Sequence, residues 1–201
     1  MVLVKRKRTI KSPEHRRDDL LNAAVKVFAE KGIAGATIAD VAEAAGVAKG
    51  TFYLYFSSKE HLLASLRERF VSEIMAHAAS YLDRFGREDW WELADAVIEG
   101  WIDFDLEHRD VLYVFTKEGL TPETQETFAE CERRLTEMMA LGIQGGRDSG
   151  TFSATDPMFT ATFIKHAIEG AVLESILNGQ EIDRDRLVAG AKELVRKVLS
   201  P

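Results

Sequence analysis

Lys49-Gly50-Thr51 is the stretch of this 201-residue chain whose residue types are best suited to contact a nucleic acid. A lysine ammonium can donate to guanine O6 and N7 or to a phosphate, and a threonine can contact a thymine methyl group or a phosphate. The glycine between them lets the backbone approach base edges closely. Tyr53 and Tyr55 follow on the exposed side, where their phenol hydroxyls can bind phosphates. This chemistry suits the tip of a helix that enters a DNA groove.

Each of these residues also has an ordinary structural role that competes with contact to DNA. Lys49 can be a solvated surface charge. Tyr53 or Tyr55 can pack against the preceding helix, because a tyrosine ring is largely apolar. The interpretation therefore depends on the elements that hold the stretch in place.

Two short helices joined by a tight turn are predicted around Gly46. Thr37 is a suitable N-cap for a helix over Ile38–Ala45, and Gly46 supplies the positive φ that a sharp helix–helix turn requires. A third helix is predicted over Ala48–Phe56. The residues that face inward across this pair are small or apolar: Val41, Ala42, Ala45, Val47, Phe52 and Phe56. An N-cap, a turn glycine and inward-facing apolar residues at this spacing are together typical of a helix-turn-helix motif.

The whole chain is predicted to be all-α with about nine helices, because no segment shows period-two alternation bounded by turn residues. Helix starts and stops are marked by caps, prolines and glycines. Besides the two motif helices, the segments predicted to be helical are 13–31, 59–85, 88–107, 109–117, 122–147, 157–178 and 184–199.

Charge divides the chain into a basic and an acidic part. Residues 1–60 hold eleven Lys/Arg against seven Asp/Glu, a net of +4, whereas residues 61–201 have a net of −11. Such asymmetry suggests a basic module that contacts polyanions and an acidic body that does not. Residues 1–13 form a flexible basic arm, which either keeps the protein in solution or reaches phosphates or the minor groove beside the main reader.

The motif resembles the DNA-binding domain of the tetracycline-repressor (TetR/AcrR) family. The resemblance covers about a third of the chain, from about Glu14 to Ile74, and is clearest over Thr37–Leu63. It rests on the pattern Thr37-Ile-x-x-Val-Ala-x-x-Ala-Gly46-Val47-x-Lys49-Gly50-Thr51-Phe52-Tyr53-x-Tyr55-Phe56-x-Ser58-Lys59-Glu60-x-Leu62-Leu63. Ala48 stands where the family often has serine or threonine.

The resemblance implies an N-terminal three-helix helix-turn-helix domain over 14–74, with its motif at 37–56, and a C-terminal effector-binding and dimerisation domain over 75–201. It implies a homodimer that binds double-stranded DNA at a palindromic operator, usually as a repressor released by a small-molecule effector. The implied DNA-binding residues are Thr37, Lys49, Gly50, Thr51, Tyr53, Tyr55 and Lys59. Among them, Lys59 and the amide and hydroxyl of Thr37 are expected to contact the flanking backbone.

The last two helices have the composition of a dimer interface. Large residues beside small ones let partner helices approach closely. The predicted interface residues are Phe159, Phe163, Ala167, Gly170, Ala171, Leu187 and Leu194. The alternative is that these stripes close the core of a monomer.

Aromatic side chains in the body are candidates for an effector pocket: Trp90, Trp101, Phe104, Tyr113, Phe115 and Phe128. Aromatic rings alone suit a neutral or acyl ligand. Nearby acids suit a lipophilic cation instead, namely Asp95, Glu99, Asp103 and Glu118. The alternative is that aromatic residues at helical spacing are simply core. The sequence does not identify the effector.

Motifs for catalysis or metal binding are missing from the sequence, so we expect no enzyme, no cofactor and no metal site. No paired Glu-x-x-His, His-Glu-x-x-His or phosphate-binding glycine loop occurs. The single cysteine, Cys131, fits a reducing cytosol and a buried position. Neither a signal peptide nor an apolar run of membrane-spanning length is found, so a cytoplasmic protein without membrane contact is expected. The alternative function is a helical ligand- or protein-interaction module that does not read DNA.

Overall fold

The computed structural model describes residues 12–85, 89–116, 121–178 and 183–201, with the side chains of 83–85 excepted. Within these ranges the chain is helical and has no strand, in agreement with the predicted all-α class. The helices are α1 (Pro13–Gly35), α2 (Ile38–Ala44), α3 (Lys49–Phe52), α4 (Lys59–Phe85), α5 (Trp90–Glu107), α6 (Arg109–Thr116), α7 (Pro122–Asp148), α8 (Pro157–Leu177) and α9 (Arg184–Leu199). Nearly all of the predicted basic arm, residues 1–11, and the predicted pocket acid Glu118 lie outside the described residues.

Side-chain caps explain why most helices begin where they do. An oxygen on the residue before the helix accepts a backbone N–H of the first turn, which would otherwise lack a partner. Ser12, Asp89, Asp156 and Asp183 act in this way. Ser58 accepts the amide of His61 at the start of α4, at 3.0 Å.

Two helix boundaries differ from the sequence prediction by more than two residues. Gly32 interrupts α1 with φ 72°, as predicted, but one more helical turn follows and ends at Gly35. The third helix was predicted to reach Phe56, which is wrong, because α3 ends at Phe52. The amide of Tyr55 donates to the carbonyl of Phe52 at 2.9 Å, so the chain tightens into a turn after one helical turn.

The N-terminal helices bury a compact set of apolar side chains against the start of α4. Leu20, Leu21 and Phe28 of α1 meet Phe52 and Phe56 from the motif, and all five are buried. Helix α1 packs against α2, α4 and α6. The motif is therefore held by α1, and α1 also touches the body through α6.

The C-terminal body is built around α4, which packs along both α5 and α7. Helix α8 packs against α7, and α9 lies against α5 and α8. Cys131 is buried in this core as predicted, and burial raises the pKa of its thiol. Helix α4 thus belongs to both halves of the molecule.

A row of ion pairs joins α5 to α9 at the surface. The partners are Asp103 with Arg184, Glu99 with Lys192 and Asp95 with Arg196. These are three of the four acids that the sequence suggested for a lipophilic cation. Because each already has a cationic partner on α9, they do not form an acidic pocket lining. They link α9 to α5 at the surface, where such exposed pairs add little to stability.

Candidate functional site

A capping box and a cross-helix ion pair fix the start of α2. The hydroxyl of Thr37 donates to Asp40 Oδ2 at 2.7 Å, and the amide of Asp40 donates back to Thr37 Oγ1 at 3.2 Å. Lys31 of α1 donates to Asp40 Oδ1 at 2.6 Å. Hydrogen bonds from Lys31 and Thr37 lower the pKa of Asp40 to about 2. Thr37 therefore has an internal partner for the hydroxyl that was predicted to contact DNA.

The turn after α2 aims α3 away from the core. Gly46 has φ 67°, the left-handed conformation that was predicted from its position. The amide of Gly46 donates to Glu43 O, and the amide of Val47 donates to Ala42 O, both at 2.9 Å. These bonds satisfy the last carbonyls of α2 and start a new helix at once.

The first turn of α3 presents the polar tip that the sequence predicted. Lys49 and Gly50 are exposed, Thr51 is half-buried, and Phe52 is fully buried beneath them. A side chain built on Gly50 would meet no described atom within 4 Å, so the backbone here is open to a partner. The tip is therefore anchored by one aromatic ring and free on its outer side.

Tyr53 and Tyr55 take different positions. Tyr53 is 52% exposed beside the tip, whereas Tyr55 is half-buried against the hydrophobic core. The structure thus brings Tyr53 to the surface that carries Lys49 and gives Tyr55 mainly a packing role. Leu54 is 79% exposed on the same turn and was not singled out from the sequence. In the sequence, Leu54 could have been noticed as the one aliphatic residue among the aromatic residues of 52–56.

Lys59 occupies a structural position at the end of α1. Its ammonium donates to the carbonyls of Ile33 at 2.5 Å and Ala36 at 3.1 Å. These carbonyls follow the break at Gly32 and would otherwise lack donors from the helix. The lysine predicted to contact phosphate therefore ties α4 to α1.

Arg17 is a cation near the tip that sequence reasoning missed. Its guanidinium lies 5.3 Å from the centre of the Phe56 ring, at the end of the motif. In the sequence Arg17 is one of several charges on α1, so its residue type alone does not mark it as a cation beside the motif. Arg17 adds positive charge to the same region as Lys49.

A second cluster, of aromatic rings, lies in the body between α4, α5, α6 and α7. Four rings form a continuous row in which neighbouring centres are 5.2–5.9 Å apart: Phe104, Phe70, Phe115 and Phe128. Trp101 belongs to the same region, because its indole hydrogen-bonds the nearby Asp105. All six predicted pocket residues lie on α5, α6 or α7. Trp90, at the start of α5, is separate from the row of rings and packs against Gly145 and Phe152. Tyr113 is half-buried on α6.

Charged side chains are buried beside these rings. Arg67 of α4 donates to Glu132 of α7, which also accepts from Lys165 of α8 at 2.5 Å. Lys165 donates to Glu169 as well, at 3.2 Å. Burial opposes ionisation of Glu132, but Arg67 and Lys165 outweigh it and hold its pKa below the ordinary value. Burial raises the pKa of Glu169 despite Lys165.

Asp105 is the most isolated acid of this group. It is 3% exposed, and burial, together with the charge of Glu169, raises its pKa to about 8. Arg67 and the Trp101 hydrogen bond oppose this shift without cancelling it. The carboxyl is therefore protonated at neutral pH and can donate a hydrogen bond. The burial of these charges could not be predicted from the sequence, since the groups that surround them come from four different helices.

Comparison with known proteins decides the family. Residues 20–66, which include the capping box, the turn and the tip, match the family model described as bacterial regulatory proteins, tetR family. Residues 20–66 therefore form a TetR-family DNA-binding domain. A relative from Bacillus subtilis, the uncharacterized HTH-type transcriptional regulator YvdT, is 36% identical over 95 residues. That match covers 47% of this chain and about half of the relative, 48%.

Solved structures share the fold over nearly the full chain. The fatty acid degradation regulator FadR from Bacillus halodurans has a TM-score of 0.82 at 24% identity and covers 93% of this chain and 96% of its own. FadR from Bacillus subtilis, solved in complex with stearoyl-CoA, has a TM-score of 0.77 at 24% identity, over 89% of this chain and 96% of that one. The body of this chain therefore has the same helical architecture as both.

Helices α8 and α9 leave an apolar face uncovered. Phe159 and Phe163 are each 62% exposed and pack edge to face against one another, at 4.7 Å between ring centres. Four predicted interface residues line a groove between the two helices: Ala167, Ala171, Leu187 and Leu194. Gly170 is exposed on α8 as well. A monomer gains nothing from exposing such a face, which is typical of an interaction surface.

Neither a metal site nor a membrane span is found in the described part of the chain. Its His, Cys, Asp and Glu side chains form no group of three or more that could hold a metal ion. None of the described helices has the length and apolar character needed to cross a bilayer.

The position of Lys59 generates a prediction about stability. Replacing Lys59 with alanine leaves the α1 carbonyls without a donor, so we expect a loss of about 1–3 kcal/mol in the free energy of unfolding, measured in urea. Lys26→Ala, an exposed lysine on α1, is the matched control and should change stability by less than about 0.5 kcal/mol. Unchanged stability of Lys59→Ala, with a shallower salt dependence of DNA binding, would instead identify Lys59 as a phosphate contact.

The raised pKa of Asp105 generates a prediction about pH. Between about pH 4 and pH 8 the folded state holds a proton that the unfolded state has released, so this group's stabilising contribution falls as pH rises through that window. Asp105→Asn should remove this slope and add on the order of 2 kcal/mol of stability at pH 7. Urea unfolding at pH 5, 6, 7 and 8 measures it, with exposed Asp110→Asn as the control. Equal slopes in wild type and Asp105→Asn contradict a protonated Asp105.

Proposed function

We propose that this chain is a dimeric, sequence-specific DNA-binding transcriptional repressor that a small lipophilic effector releases from its operator. The observation that carries the proposal is the exposed tip Lys49-Gly50-Thr51, which Gly46 turns outward and the buried Phe52 anchors. As a DNA-binding regulator it acts in the cytoplasm, where a bacterial chromosome lies, and it has no catalytic role.

The tip supplies base contacts and its surroundings supply phosphate contacts. Lys49 donates to guanine or phosphate, Thr51 contacts a thymine methyl group, and Gly50 lets the helix sit deep in the major groove. Tyr53 binds a phosphate through its hydroxyl, and Leu54 adds an apolar contact at the groove edge. The net charge of +4 over residues 1–60 favours this end of the molecule for a polyanion, although the whole chain carries −7.

The uncovered α8/α9 face joins two copies into a dimer. Phe159 and Phe163 would insert beside small residues of the partner, where Ala167, Gly170 and Ala171 allow close approach. A two-fold axis through this face makes the interface self-complementary. The two tips then lie about one helical turn of DNA apart, roughly 34–36 Å, and the operator is a palindrome.

The effector binds in the body and acts through α4 and α6. The row of phenylalanine rings between α4, α5, α6 and α7 provides apolar surface for a lipophilic molecule. The stearoyl-CoA bound to the Bacillus subtilis FadR structure supports an acyl compound as the effector class. A ligand that moves α6 also moves α1, because these helices pack together, and α1 holds the motif.

Substitutions at the tip test DNA binding. Lys49→Ala should weaken operator binding about 10- to 100-fold, and Tyr53→Phe about 3- to 10-fold, since each removes one contact. Fluorescence anisotropy at fixed salt measures both, with Lys26→Ala as a control of equal charge. Unchanged stability in urea shows that the variants fold. If Lys49→Ala and Tyr53→Phe bind the operator as tightly as wild type does, the tip is not the DNA-binding surface.

A charge on α8 tests the dimer. Ala171→Asp places a carboxylate in the centre of the apolar face, so we expect monomers in sedimentation velocity at micromolar concentration, because an unpaired buried charge costs several kcal/mol. Ala129→Asp, on an exposed position of α7, is the matched control and should stay dimeric. A persistent Ala171→Asp dimer places the interface elsewhere.

A further inference from the structure

We infer that Arg67 and Asp105 form the polar end of the effector site, where they recognise the carbonyl or carboxylate oxygen of a long-chain acyl compound. The inference deepens the proposed function and rests on it in one respect, namely that the body binds an effector. It names the residues and the chemical group by which recognition occurs.

Arg67 has a hydrogen-bond donor that is not satisfied. The residue is 7% exposed in the middle of the body, and one terminal nitrogen donates to Glu132. Its Nε is fully buried and has no acceptor among the described residues. A buried N–H without an acceptor is costly, and such groups in native proteins commonly mark a functional site. The nitrogen is therefore available for an oxygen atom that a ligand brings.

The surroundings of Arg67 are aromatic. The guanidinium carbon lies 5.8 Å from the centre of the Phe70 ring, 5.1 Å from Phe115 and 5.7 Å from Phe128. Rings on three helices leave few polar atoms to accept the Nε proton. A ligand that reaches this nitrogen must pass its remaining atoms along the rings, so it must be largely apolar.

Asp105 supplies a second donor in the same region. It lies on α5 next to Phe104, whose ring centre is 5.2 Å from that of Phe70, one of the rings that surround Arg67. The neighbouring carboxylates, Glu132 and Glu169, are both held by Lys165. The Nε–H of Arg67 has no acceptor among the described residues. The O–H of a neutral Asp105 can donate as well. Two donors, one of them cationic, suit an oxygen acceptor and disfavour a cationic ligand.

The location also explains how recognition would reach the DNA-binding half. Arg67 lies in the third turn of α4, whose start is tied to α1 by Lys59. Phe115 lies on α6, which packs against α1. A ligand oxygen bound at Arg67 is therefore held by a residue of α4 and lies near Phe115 of α6. These are the two helices that connect the body to the motif.

The first test compares ligands on the unmodified full chain by isothermal titration calorimetry, below their critical micelle concentrations. The probes are hexadecanoic acid, hexadecanoyl-CoA, hexadecanol and hexadecyltrimethylammonium, which share a chain of sixteen carbons. We expect the free acid, the CoA thioester or both to bind at least about 10-fold more tightly than the alcohol and the cation. Comparison of hexadecanoic acid with hexadecanoyl-CoA shows whether the recognised oxygen belongs to a carboxylate or to a thioester carbonyl. Equal binding of alcohol and acid, or preference for the cation, overturns the inference.

The second test changes the donors. Arg67→Lys keeps the charge beside Glu132 but removes Nε, and should weaken the preferred acyl probe about 10- to 100-fold while leaving hexadecanol unchanged. Arg69→Lys, two residues along the same helix and at the surface with Asp18 and Glu73, is the matched control. Asp105→Leu should weaken the acyl probe, and Asp105→Asn, whose amide still donates, should restore it. Acyl affinity unchanged in Arg67→Lys and Asp105→Leu overturns the inference.

Operator release separates this inference from the proposed function. Release is followed by anisotropy of labelled DNA while each probe is added. If the acyl probe binds through Arg67 but DNA stays bound, the inference holds and the proposed effector control fails. If a probe releases DNA with equal potency in wild type and Arg67→Lys, effector control holds and the inference fails.

Discussion

One helix, α4, belongs to both halves of this molecule, and a single ammonium fixes its start. Lys59 donates to carbonyls at the end of α1, so the first turn of α4 cannot move without α1. The same helix continues to Phe85 and packs along α5 and α7. The position of the tip relative to the body is therefore set by a short set of hydrogen bonds and by the packing of one long helix.

The body also has an interior that contains buried charged groups, which lower the stability of the folded state. Arg67 and Lys165 are buried and pair with the half-buried Glu132 and Glu169, although replacing buried charged groups with apolar residues often leaves stability equal or higher. A neutral Asp105 and an unsatisfied Arg67 Nε add to the cost. A fold selected for stability alone would fill this space with leucine. The arrangement is explained if these groups meet a ligand, which is the physical reason to place effector recognition there.

Local chemistry made much of the fold predictable. Thr37, Gly46, Ser58 and the Thr121-Pro122 pair act through neighbours in sequence, so caps, turn and helix starts followed from residue types. Periodicity identified the buried stripe of α1 and the exposed stripe of α8. The early end of α3 was missed, because the sequence after Phe52 remains compatible with a helix and the tertiary packing of Tyr55 decides the turn.

Contacts between distant segments could not be predicted. The partners of Lys59 lie more than twenty residues away, and those of Arg67 and Lys165 come from separate helices. A charge in a sequence is solvated by default, so Lys59 was assigned to phosphate and Arg67 was not noticed. The acids of α5 were assigned to a pocket, whereas pairing with α9 places them at the surface.

Selection of DNA from a random pool by the purified chain tests the central claim most directly, because it examines the reader and the dimer together. The account predicts enrichment of one sequence family with two inverted half-sites, whose centres are about 10 base pairs or a multiple of that apart. Retention that shows no sequence enrichment, or a single half-site without symmetry, would contradict it.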